Sequence, residues 1–279
     1  MNQLSRNERA EIIRALVEGN SLRSVTRLTG RSINTVTKLL VELGAACEDY
    51  QDRVLRNLMV RRLECDEIWA FCYMKERNLP REEQGKLGKG DVWTFVAIDP
   101  ETKLVPSWMV GARDPETAEA FMRDLAPRLA TRVQLTTDGH RPYLQAVPAA
   151  FGDAVDFAQL VKEYGVEYGE AGYRTGTAIV TGSHQRVVSG HPDADYISTS
   201  YVERQNLTMR MGMRRYTRSS NGFSKKVENH AAATALHFMY MNFARPHKSL
   251  AKPYPRTPAM AAGIADHIWT CEEIAALLD

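Results

Sequence analysis

Residues 63–73, LECDEIWAFCY, mark the point where the chain changes period. Upstream, apolar residues recur at helical spacing; from here they fall in short aromatic and apolar runs, the pattern of strands. DVWTFVAID (91–99) and KLVPSWMVGA (103–112) are two further runs. Pro100, Glu101 and Thr102 turn between them, so the two pair as a hairpin, and Pro106 puts a bulge or an edge in the second. Asp114, Pro115 and Glu116 open a helix with Ala118, Phe121, Met122 and Leu125 on its inner face. RVQLTT (132–137) is a short buried strand that ends at Asp138 and Gly139; RPYLQAVPAAF (141–151) is a helix, and 153–161 a fifth strand. Residues 163–199 are poor in periodicity and rich in Gly, Thr, Ser and Tyr, and read as a long excursion. SYVERQNLTMRMGMRR (200–215) begins a helix that no Pro interrupts up to 220. KKVENHAAATALHFMYMNFA (225–244) is another, and a Pro-bearing tail closes with the short helix EEIAALLD (272–279).

Three strands, helix, strand, helix, strand and two helices build an α/β mixed sheet flanked by helices, in the order of the ribonuclease-H-like fold. Ahead of it, RNERAEIIRALVE (6–18) carries the stripe Ala10, Ile13, Leu16 and Val17. Ser21 caps a second helix, Gly30 permits a tight turn, and Ser32 caps a third, which is the spacing of a helix-turn-helix. The third helix begins with Arg31, Ser32, Asn34, Thr35 and Lys38, groups suited to phosphates and base edges; an ordinary three-helix packing unit is the alternative. The expected organisation is therefore a helix-turn-helix DNA-binding domain at 1–45, a linker helix at 46–60, a catalytic domain at 61–250 with 163–199 inserted, and a tail at 251–279.

A net charge of +2 confines any nucleic-acid surface to local patches. The four cysteines show neither zinc spacing nor a disulfide framework, which fits a reducing interior. No apolar stretch is long enough for a signal peptide or a membrane span, so a cytoplasmic protein is expected.

Asp66 lies within the first strand and Asp138 at the end of the fourth, while Glu203 heads a helix followed by Arg204, Arg210, Arg214 and Arg215. Glu203, Arg210 and Arg214 fall on nearly one helical face. If strands one and four are neighbours, the three acids converge at the strand ends, where ligands gather in open α/β sheets. Clustered carboxylates repel one another unless a cation sits among them, and oxygen ligands without Cys or His favour Mg²⁺ or Mn²⁺. Two such ions activate a water or a 3′-hydroxyl and stabilise the leaving oxygen, the chemistry of phosphodiester cleavage and strand transfer. Glu67 adjoins Asp66, but strand alternation points it to the other face as a structural hydrogen-bond partner. His140 and His247 are auxiliary candidates near a phosphate, and Trp69, Trp93 and Trp108 are assigned to the core.

ECDEIWAF, DVWTFVAIDPETKLVPSWMVG, RVQLTTDGHRPY, STSYVERQNLTMRMGMRRYTR, GFSKKVENHA and TPAMAAG together resemble the transposases of the insertion-sequence-one family. The resemblance runs from about residue 45 to the end. It implies a ribonuclease-H-like core with an Asp-Asp-Glu triad at Asp66, Asp138 and Glu203, and a DNA-phosphate contact at Arg210. It also implies double-stranded DNA as partner, both terminal inverted repeats and target, and a bacterial, nucleoid-associated protein. Joining two ends calls for a homodimer or larger assembly. Two features depart from the pattern: the N-terminal zinc finger that some members carry has no cysteines here, and the gap from Asp138 to Glu203 is long. A DNA-binding regulator without chemistry, and a nuclease of the same fold, are the competing functions.

Overall fold

The computed structural model describes residues 4–86, 88–168, 174–217 and 220–279, with backbone alone at 166–168 and 174–178. Strands β1 (Arg62–Cys72), β2 (Gly90–Ile98) and β3 (Ser107–Gly111) form an antiparallel meander. On the other side of β1, β4 (Val133–Asp138) runs parallel to it, β5 (Val155–Tyr168) parallel to β4, and β6 (Arg174–Ser189) antiparallel to β5. The order β3-β2-β1-β4-β5-β6 makes a six-stranded mixed sheet, compatible with a ribonuclease-H-like fold.

Alternation along the strands divides the core. Cys65, Phe95, Leu135 and Phe157 pack with α4 (Pro115–Leu125) and α5 (Tyr143–Phe151). Ile68, Ala70, Val96 and Ile98 pack with Val202 and Met209 of α6 (Ser200–Gly212) and with Phe238 of α7 (Val227–Met239). Asp114 caps α4 by accepting from Thr117 N at 2.8 Å, and Pro115 occupies its first turn; the four residues expected on its inner face are all buried.

Three helices precede the sheet: α1 (Arg6–Val17), α2 (Leu22–Thr29) and α3 (Ile33–Val54). Ser5, Ser21 and Ser32 cap them in turn. Gly30 turns the chain from α2 to α3 at φ +67°, a conformation that disfavours any side chain. Ile12, Val25, Val36 and Leu39 make a small core of their own. Helix α3 runs unbroken past residue 45, where a boundary and a separate linker helix were expected. Its Gly44 lies against α7 so closely that an added Cβ would stand 2.5 Å from Ala232 Cα and Cβ. Gly44 is a packing contact in mid-helix. Short helices α8 (Pro258–Ala261) and α9 (Cys271–Ala276) close the chain. Its end is tied back to α1 by ion pairs of Arg6 and Arg9 with Asp279 and of Arg14 with Glu272.

Two expectations are corrected. The 163–199 excursion is largely a long antiparallel hairpin, the outer part of β5 with β6; its tip, 169–173, lies outside the described residues. Tyr164, Val180 and Val187 are exposed, so neither face of this ribbon needs the apolar alternation that marks a half-buried strand. The helix of 200–220 stops at Gly212, a poor helix former. Met213 is extended and buried, and Arg214–Tyr216 form a separate 3₁₀ turn that seats Tyr216 in the core. Arg214 therefore leaves the face of Glu203 and Arg210; Arg218 lies outside the described residues.

Gly44→Ala should cost about 1–3 kcal/mol by overpacking, read as a fall in Tm of about 2–4 °C per kcal/mol. An unchanged Tm would mean that α3 does not lie on α7.

Candidate metal centre

Parallel pairing of β1 with β4 brings Cys65 opposite Thr137; the next residues on the two strands are Asp66 and Asp138. Asp138 ends its strand, its Oδ1 accepting from His140 N at 2.9 Å. Gln159 Nε2 holds the Asp138 carbonyl at 2.9 Å. Asp66 Oδ2 accepts from Asn206 Nδ2 of α6 at 2.9 Å.

Glu67 lies on the α4–α5 side of β1, as alternation requires. Its Oε2 accepts from Arg113 Nε and Nη2 at 3.1 and 3.0 Å, as expected of a hydrogen-bond partner. It is more than that: one oxygen each of Asp66, Glu67 and Asp138 lies within 4.8 Å of the others. Arg113 Nη2 also stands 3.7 Å from Asp138 Oδ2, and its guanidinium lies over the Trp93 ring, 4.6 Å from the centroid. Trp93, Trp69 and Trp108 are half-buried rather than fully enclosed; Trp108 packs on Phe238 at 4.9 Å.

Burial and the Asp138 charge together push Asp66 up to about 7 and Glu67 up to about 8. The buried Tyr143 hydroxyl also meets the Glu67 carboxylate and pulls its pKa back only in part. A group of mutually repelling carboxylates, none of its members Cys or His, fits a hard divalent cation such as Mg²⁺ or Mn²⁺.

Glu203 is placed differently. Helix α6 has no side-chain cap of its own; buried Glu64, from β1, accepts from Tyr201 N at 2.7 Å and Val202 N at 3.0 Å instead. A carboxylate at a helix N-terminus satisfies orphan donors and complements the dipole. Burial nevertheless pushes Glu64 up to about 7, against the pull of those two amides. Thr199 donates to Glu203 Oε1 at 2.5 Å, and the Lys162 ammonium, from β5, donates to the same oxygen. Of the three acids expected to converge, Asp66 and Asp138 stand side by side. Glu203 lies outside their 4.8 Å group among the described residues, near enough for its charge to raise Asp66. Asn206, one turn on, makes the direct contact between α6 and Asp66.

His140 lies at this centre, its ring 5.6 Å from that of Tyr143 and its Nε2 buried without a hydrogen-bond partner; burial, then Arg113, holds its pKa low. His247 instead caps a short turn, its Nδ1 accepting from Ser249 N at 3.3 Å. At the start of α3, Asn34 and Lys38 are exposed, Arg31 pairs with Glu8, and Ser32 and Thr35 share a 2.9 Å hydroxyl contact at the cap. On α6, Arg204 is exposed and Arg210 half-buried. Arg215 turns inward to Ser224 Oγ at 2.6 Å, and burial lowers its pKa. Arg23, Thr37, Arg214 and Lys225 line a groove of about 620 Å³ between α2–α3 and the end of α6 with α7.

Sequence reasoning missed Glu64, Arg113, Lys162 and Asn206. Asn206 carried a signal, three residues after Glu203 on a helix; the others act across the fold and carried none.

No protein-family model matches the chain, and no curated protein does. Among solved structures, a paired-end complex of the Mos1 transposase with its left transposon end aligns with 14% identity and a TM-score of 0.25, over 56% of this chain and 60% of that chain. So distant a likeness leaves the chemistry to the residues themselves. No helix among the described residues is long and apolar enough to cross a membrane.

Asp66 has a folded pKa of about 7 against an ordinary 3.8. A raised pKa favours the folded state fully below the ordinary value, and that advantage is lost as pH rises through 7. In chelator-treated protein, Asp66→Asn should therefore gain Tm over the unsubstituted chain as pH rises from about 4 to about 8, and Mg²⁺ should erase the gain by stabilising only the latter. A Tm difference independent of pH would contradict this.

Proposed function

We propose that the protein is a DNA transposase that binds the terminal inverted repeats of an insertion sequence and carries out metal-dependent cleavage and strand transfer. The observation that carries this reading is the convergence of Asp66, Asp138 and Glu67, with the Glu203 helix alongside. The resemblance of the sequence blocks to the insertion-sequence-one transposases supports it, as does the helix-turn-helix spacing of α2, Gly30 and α3.

Asp66 and Asp138 would hold the metal in this scheme, with Glu67 at its border and Glu203 delivered by α6. The bound cation would polarise the phosphate and lower the pKa of the attacking water or 3′-hydroxyl. The chain's own contribution is placement. Glu64 and Asn206 pin α6 to β1, so the acids and the basic side of α6 share one frame. Arg204, Arg210 and Arg214 then bind the DNA backbone, which fixes register without reading sequence, while Asn34, Thr35 and Lys38 read base edges. Arg31 and Ser32 support that helix start, and Arg215 braces the turn after α6 from within. Two protomers bring two ends together.

One feature favours the regulator without chemistry: Glu203 is engaged by Lys162 and Thr199 rather than by the acid group. End-cleavage assays separate the two. Asp66→Asn, Asp138→Asn and Glu203→Gln should each abolish Mg²⁺-dependent nicking and joining while DNA binding persists; full activity in any of them removes that residue from the mechanism. Arg210→Ala should weaken binding to all sequences and flatten the salt slope by about 1, whereas changes at Asn34 or Lys38 should relax sequence preference. An untouched slope in Arg210→Ala would refute its phosphate contact.

A further inference from the structure

Two cations of the chain flank the acid group, and they are held differently. Arg113 grips Glu67 through two nitrogens at 3.1 and 3.0 Å and lies over Trp93, which leaves the planar guanidinium little freedom. Lys162 stands on the other side, on β5, two residues beyond Leu160, the register partner of Asp138. Among the described residues its ammonium makes one hydrogen bond, to Glu203 Oε1, on a flexible stem; the two side chains are 26% and 41% exposed. A pair so placed is exchangeable, worth little in water and open to a competing cation.

We propose that Lys162 is a place-holder cation for Glu203: its ammonium occupies the carboxylate that a divalent metal needs, and metal entry displaces it. The inference rests on the metal centre proposed above and adds a residue to it. In the exchange one Nζ–H···Oε1 hydrogen bond breaks, a metal–carboxylate bond forms, and the lysine keeps its proton. Lys162 is thus a positioning residue, holding α6 and its acid beside Asp66 while the centre is empty. That contact, with the Thr199 hydroxyl on the same oxygen, holds Glu203 outside the carboxylate group although its helix touches Asp66 through Asn206.

The test is Mn²⁺ binding to the full chain without DNA, followed by the paramagnetic resonance of free Mn²⁺. Lys162→Met should bind Mn²⁺ about two- to five-fold more tightly, the loss of one exposed competing pair, and Lys162→Arg should stay near the parent. In a Glu203→Gln background the same Lys162→Met change should give no gain. An unchanged or weaker affinity in Lys162→Met protein that melts cooperatively would overturn the inference. So would an equal gain without Glu203, because the lysine would then act only as a nearby charge. If the parent binds Mn²⁺ no better than an Asp66→Asn, Asp138→Asn double variant, the metal centre itself fails and the inference falls with it; if the parent binds better and only the Lys162 effect is missing, the inference alone fails.

Discussion

Parallel pairing of β1 with β4 is the constraint around which this molecule is arranged. It sets Asp66 beside Asp138 in a half-buried position where bulk water screens the two charges only in part. Two carboxylates so placed oppose folding, and the neighbouring groups make sense as responses to them. Arg113 lies between Glu67 and Asp138, Asn206 donates to Asp66, and the His140 amide donates to Asp138. These contacts moderate the repulsion without removing it, since Asp66 and Glu67 remain pushed up into the neutral range. Such a group is compatible with a divalent cation.

The second organising contact is the anchoring of α6. Glu64 takes the place of a local cap, so the first turn of the helix is bound to the strand that carries Asp66. Glu64, Asp66 and Ile68 alternate onto the face that α6 covers, which makes one strand both the scaffold of the helix and the source of the acid. Gly44 brings α3 onto α7 in a similarly close approach. The N-terminal helices therefore share a frame with α7, and a basic groove opens between them and the end of α6 with α7.

Much of this was legible in the sequence. The meander, the Asp114 cap and the inner face of α4 follow from local chemistry, and the placement of Asp138 at a strand end follows from the turn signal Asp-Gly. What was not legible depends on partners distant in sequence. The continuity of α3 past residue 45 was hidden because nothing local reveals that Gly44 packs on Ala232, 188 positions away by number (232 − 44). The β5–β6 ribbon hides because an exposed hairpin lacks the apolar alternation by which strands are recognised. Helix α6 ends early because burial of Tyr216 outweighs the mild helical preference of the residues after Gly212. At the centre, alternation assigned Glu67 its face correctly but did not reveal that its carboxylate reaches the end of β4.

The most direct test of the account is anomalous diffraction from crystals of the full chain grown or soaked with Mn²⁺. The account predicts a manganese peak bounded by carboxylate oxygens of Asp66 and Asp138. Manganese bound elsewhere, with no peak between those two side chains, would contradict it.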